Sequence, residues 1–128
     1  MIQIRPRETV ILASDFVALY SWYRDVLGFR ISRLFEGGYH YCNLETATGI
    51  AIGIGDAKEM GVQPGDRAQS CVLMQIEVDD VRAFFAHVEA KGGSVRFGPS
   101  LDEKDGFWYG GIADPEGNPI WVVDSLCP

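Results

Sequence analysis

The 128-residue sequence predicts an α+β fold of two paired β-α-β-β-β modules. Three observations carry this reading: an internal repeat, one amphipathic helical stretch in each repeat, and alternating apolar positions in the segments around it. Residues 13–29 align with residues 78–94 so that Asp15 falls on Asp80 and Gly28 on Gly93, both 65 positions apart. Residues 38–54 align with residues 106–122 at an offset of 68, which sets Gly38 on Gly106, Tyr41 on Tyr109, Gly49 on Gly117 and Ile52 on Ile120. The modules are read as about 1–57 and about 70–128, joined by a linker at 58–69, within a single domain.

The elements follow in chain order. Residues 8–13 (ETVILA) form a first strand. A helix is expected over 15–27: Asp15 caps it, and Phe16, Leu19, Tyr20, Tyr23 and Val26 recur at i, i+3, i+4 spacing until Gly28 stops it. Three strands follow as FRISRLF, YHYCNLE and GIAIGIG. The second module repeats the order. CVLMQIEV is its leading strand, and a helix is expected over 80–91 with Asp80 as cap and Val81, Phe84, Phe85 and Val88 as its stripe. SVRFGP, FWYGGIA and IWVVD are its remaining strands, and Asp114, Pro115, Gly117 and Asn118 build the tight turn into the last of them.

One helix covers one face of a small sheet, and side-chain alternation shows which. Ile50, Ile52 and Ile54 share a face, as do Met74, Ile76 and Val78, and Ile120 and Val122, so these belong under the helices. The opposite faces carry Glu8, Val10 and Leu12; Ala51 and Gly53; Leu73, Gln75 and Glu77; and Trp121 and Val123. Acids, an amide, an indole and residues with almost no side chain suit the wall of a ligand cavity between the modules better than a dry core.

Composition narrows the function. With 47% hydrophobic and 23% charged residues the chain is an ordinary globular domain. Eleven Lys and Arg against 18 Asp and Glu give a net charge of −7, the wrong sign for a nucleic-acid or anionic-membrane partner. The opening residues resemble neither a signal peptide nor a spanning helix, and no stretch approaches the roughly 18 apolar residues a span needs. A cytoplasmic location is expected, with Cys42, Cys71 and Cys127 as reduced thiols. The glycine-rich GIAIGIGDAKE segment lacks both the P-loop lysine and the dinucleotide spacing.

The paired modules, the Ser-Asp and Asp-Asp helix starts at 14–15 and 79–80, and the Asp-Pro-x-Gly-Asn turn at 114–118 make the chain resemble the vicinal oxygen chelate superfamily. That group includes glyoxalase I, extradiol dioxygenases, fosfomycin-resistance enzymes and bleomycin-binding resistance proteins. The resemblance covers nearly the whole chain and implies two curved mixed sheets around a central cavity. Its metal enzymes hold a divalent ion on the first and last strands of each module. Those positions here are Glu8, Gly53, Leu73 and Trp121, of which only Glu8 could ligate, so no divalent metal cofactor is expected.

The resemblance therefore implies a metal-independent binding protein of the bleomycin-resistance type, holding a flat aromatic or cationic small molecule, and a homodimer. Glu8, Trp121, Trp108, Tyr41, Tyr39 and Gln75 are the expected ligand contacts, the aromatics for stacking and Glu8 for charge or a hydrogen bond. The alternative is a small lyase, isomerase or dioxygenase with a shifted metal site or with Glu8 as general base.

Overall fold

The structure is a computed structural model that describes residues 2–128, and the chain divides between Pro64 and Gly65 into two compact units. The first contains β1 (Thr9–Ala13), α1 (Phe16–Asp25), β2 (Arg30–Phe35), β3 (Tyr41–Glu45) and β4 (Ala51–Asp56). The second contains a 3-10 turn (Arg67–Gln69), then β5 (Met74–Glu77), α2 (Val81–Ala90), β6 (Ser94–Asp102), β7 (Phe107–Ala113) and β8 (Pro119–Val123). The expected β-α-β-β-β order is present in both.

The sheets share one topology. The first is ordered β1-β4-β3-β2 and the second β5-β8-β7-β6. In each, the leading strand runs parallel to the last one, with Thr9 opposite Ile52 and Met74 opposite Ile120, and the other pairs are antiparallel.

Both helices start where a carboxylate can satisfy a free backbone N–H. Asp15 accepts from the Ala18 N–H at 3.1 Å and Asp80 from the Ala83 N–H at 3.0 Å. Helix α1 buries Phe16, Leu19, Tyr20 and Tyr23 against β3 and β4, and α2 buries Val81, Phe85 and Val88 against β6 and β7. Under them lie Leu44, Ile52 and Ile54 in one unit and Ile112, Ile120 and Val122 in the other, all buried.

Several element ends differ from the sequence reading, and three of the differences bear on the sheet faces. Strand β3 begins at Tyr41, leaving Tyr39 and His40 before it. Strand β5 begins at Met74, so Cys71 and Val72 are outside the sheet and Val72 is exposed. Strand β6 runs on to Asp102, past the Gly98–Pro99 pair expected to end it. A register shift between Phe97 and Ser100 takes up one extra residue there, and pairing resumes with Ser100 opposite Tyr109 and Asp102 opposite Phe107.

The turn into β8 is tied to the start of the second unit. Asp114, only 2% exposed, accepts from the Glu116 N–H, the Asn118 N–H and the Asn118 side-chain amide. Arg67 in turn donates to Asn118 Oδ1 at 3.3 Å and pairs with Glu116 at 2.7 Å. No helix among the described residues is long and apolar enough to cross a membrane.

Candidate functional site

Each unit presents a different cluster on the sheet face opposite its helix. In the first unit the cluster is polar. Glu8, just before β1, accepts a hydrogen bond from the Tyr41 hydroxyl to Oε1 at 2.7 Å and one from the Asn43 amide to Oε2 at 2.9 Å. Tyr41 and Asn43 are two apart on β3 and so share a face. The phenol crosses β4 above Gly53. A Cβ there would lie 1.9 Å from the Tyr41 oxygen and 2.7 Å from Glu8 Oε1, so any side chain at this position would have to displace the phenol or the carboxylate. Burial, and then the hydrogen bond to the Glu8 carboxylate, push the Tyr41 phenol up to about 12. Tyr41 therefore stays a neutral donor at any ordinary pH.

In the second unit the cluster is aromatic. A cavity of about 460 Å³ is lined by Trp121, Phe97, Phe107 and Tyr109, with Gln75, Asp102 and Cys127 as its polar side chains. Register explains the set. Gln75 is opposite Trp121, Trp121 opposite Gly111, Gly111 opposite Phe97, and Phe107 opposite Asp102, which places all these side chains on one face. Phe97 and Trp121 meet edge to face with centroids 6.4 Å apart, and Phe107 and Tyr109 lie 5.8 Å apart. The ring of Phe97 lies over Gly111, where a Cβ would approach it to 2.2 Å. Trp121 is 46% exposed and Phe97 45%, so two large rings stand at this cavity still accessible.

The expected ligand contacts fall into separate places. Glu8 and Tyr41 bond to each other in the first unit, and Trp121 and Gln75 line the cavity of the second. Trp108 is on the helix face of β7, with the Arg82 guanidinium of α2 stacked 4.7 Å above its ring and its backbone N–H donating to Asp124. Tyr39 is exposed ahead of β3 and packs on Phe35 at 4.6 Å. The cavity also draws on Phe107 and Tyr109, which belong with Trp108 to the aromatic FWY stretch of the sequence, and on Phe97 and Asp102, which are not among the expected contacts. Alternation along FWYGGIA separates Phe107 and Tyr109 from Trp108 and is the signal that selects the first two over the third.

The residues do not fit the metal that the resemblance implies. Of the four positions, Gly53 and Leu73 offer no side-chain donor and Trp121 offers an indole, which is no ligand. Both oxygens of Glu8 already accept hydrogen bonds from neutral donors, the setting of a carboxylate held by its own protein. Among the described residues, no group of three or more His, Cys, Asp or Glu is arranged to hold a metal ion.

One titratable pair lies outside both clusters. His40 pairs through Nδ1 with Glu59, and its backbone N–H donates to the other Glu59 oxygen at 2.8 Å. The hydrogen bond to Glu59 raises the imidazole above its ordinary value, with the charges of Glu59, Glu36 and Asp56 adding to the shift. Burial raises the Cys42 thiol to about 11, which makes it an inert core residue.

Residues 5–122 match the sequence profile of the Glyoxalase/Bleomycin resistance protein/Dioxygenase superfamily. Among solved structures the chain is similar to a member of that superfamily from Sphaerobacter thermophilus, at TM-score 0.76 and 16% identity over 98% of this chain and 100% of that one. It is similar to a family enzyme from Burkholderia phytofirmans, at TM-score 0.71 and 19% identity over 91% of this chain and 95% of that one. It is also similar to a lactoylglutathione lyase from Agrobacterium tumefaciens, at TM-score 0.68 and 20% identity over 95% of this chain and 94% of that one. No curated protein matches the chain by sequence.

Proposed function

The chain belongs to the Glyoxalase/Bleomycin resistance protein/Dioxygenase superfamily, and from that premise we propose that it is a metal-independent protein that binds a flat aromatic small molecule. The observation that carries this reading is the aromatic cavity of the second unit, where Trp121 stands at a position that supplies a metal ligand in the metal enzymes the sequence resembles. An indole offers a metal nothing, yet it offers a flat ring stacking area with little rotamer entropy to lose. Phe97, Phe107 and Tyr109 extend that wall, and Gln75 across from Trp121 supplies a hydrogen-bond donor and acceptor to orient the ligand.

The polar cluster of the first unit supports the same reading. Tyr41 and Asn43 each donate to one Glu8 oxygen and so hold the carboxylate against its own sheet face. We assign Glu8 to holding its own sheet face together, and the ligand to the aromatic cavity.

Trp121→Ala tests the assignment. As a ligand contact, its loss removes stacking worth about 0.5–1.5 kcal/mol beyond the buried area, and affinity falls while the denaturation midpoint moves little. A Trp121 that merely fills space would show the reverse, with stability falling by about 3–5 kcal/mol and affinity unchanged in the folded protein. Calorimetric titration with quinoline as a flat probe, alongside denaturant unfolding, separates the two. Elemental analysis of protein purified without chelator tests the metal independence, and a stoichiometric divalent ion would overturn it.

A further inference from the structure

We propose that the aromatic cavity of the second unit selects organic cations, with Asp102 as the residue that sets this preference. The inference rests on the binding role argued for that cavity and adds the charge of its ligand.

Four aromatic rings line the cavity, and the one formally charged side chain among its lining residues is Asp102. No lysine, arginine or histidine lines it. Ring faces carry the negative lobe of the aromatic quadrupole and attract a cation, while the lining offers an anion no counter-charge. Asp102 adds a formal charge to that lining, and it is negative. The other polar groups of the lining are the Gln75 amide, the Tyr109 hydroxyl and the Cys127 sulfur.

Asp102 is held with one oxygen committed and the other available. Its Oδ1 accepts the backbone N–H groups of Lys104 and Asp105, both at 3.0 Å, and so fixes the turn that joins β6 to β7. Oδ2 accepts no hydrogen bond from the described residues. Register sets the side chain opposite Phe107, on the face that Phe107 and Tyr109 share, where directly opposed residues are in contact range. The turn thus presents a carboxylate oxygen to the cavity without any rearrangement, which keeps the ordering cost of recognition low.

The ligand class that matches is a flat ring bearing a delocalised or alkylated positive nitrogen. Such a group keeps its charge without needing a hydrogen bond to each nitrogen, and it is weakly hydrated, so it enters an apolar cage more readily than a primary ammonium.

The test compares N-methylquinolinium with quinoline, which is uncharged at neutral pH, by calorimetric titration of the intact chain. Wild-type protein is expected to favour the cation by roughly tenfold. Asp102→Asn retains an Oδ1 acceptor for the turn and removes the charge, so the preference should collapse while quinoline affinity and the denaturation midpoint stay put. Asp105→Asn removes the same charge from the same turn without touching the cavity and should leave the preference intact. Equal affinities for the two probes in wild-type protein, or a preference that survives Asp102→Asn, would overturn the proposal and leave the binding role standing. An equal loss in Asp105→Asn would also overturn it, by showing a diffuse field instead of a contact. If neither probe binds wild-type protein, the binding role itself falls, and the proposal with it.

Discussion

Two glycines decide what the open faces of this chain can be. Gly53 lets a phenol cross a strand to reach a carboxylate, and Gly111 lets a phenyl ring cross one to reach an indole. Gly53→Ala is expected to force Tyr41 off Glu8, because the new methyl would occupy the space of the phenol oxygen. The hydrogen bond is made to a charged group, so stability should fall by about 1.5–3 kcal/mol, measured as a shift in denaturant midpoint. A neutral substitution would mean that Tyr41 swings clear at no cost and that the cluster is not structural. Much of this residue-level picture was legible in the sequence, since alternation alone put Glu8, Gly53, Gln75 and Trp121 on faces opposite the helices. Trp108 and Tyr39 were grouped with them by their type, and strand parity and the late start of β3 place them elsewhere. Asp102 escaped for a different reason. It is five residues beyond Phe97, an odd separation that simple alternation assigns to the opposite face, and the extra residue between Phe97 and Ser100 restores it to the same one.

At the scale of elements, the helices were the most readable parts, because caps and apolar spacing agree on them. Asp15 and Asp80 each satisfy a backbone donor where expected, and the stripes after them are buried. Strand ends were less readable, since a strand stops where pairing stops and the partner is remote in sequence. The junction before β3 shows what sequence could not: His40 there is clasped by Glu59, from the turn after β4. This pairing raises the imidazole above its ordinary value of 6.5, so its contribution to stability is complete in acid and is lost as pH rises through the raised value. The advantage of the wild-type chain over Glu59→Gln in denaturant midpoint is therefore expected to be largest near about pH 5.5 and to shrink by about pH 8. An advantage that stays constant across that range would show that the pair acts by packing alone.

For the whole molecule, the family and the order of elements were legible from one sequence because the repeat displays the same plan twice. The ligand was not, because the fold hosts several chemistries and its site is set by a few side chains on otherwise interchangeable strands. Each sheet leaves its outer strands, β1 and β2 in one and β5 and β6 in the other, with one edge unpaired in the described sheet order. Unpaired edges and half-exposed rings such as Phe97 and Trp121 favour association, and a homodimer is the proposed state. Sedimentation equilibrium at micromolar concentration should return twice the chain mass, and a single species of the chain mass would refute the dimer.

The connectivity has one more consequence, which concerns time. Every pairing in the first sheet is made within the first 56 residues, and every pairing in the second begins at residue 74 or later. On a ribosome, the hairpins β2–β3 and β3–β4 can form first, with β1 then docking beside β4 once that strand has emerged, all before β5 leaves the exit tunnel. The slowest event in each half is then the closure of its own parallel pair, Thr9 with Ile52 or Met74 with Ile120, because that contact spans most of the unit and closes the longest loop. Duplication of one small plan in tandem thus lets a mostly long-range fold assemble in two consecutive instalments during synthesis.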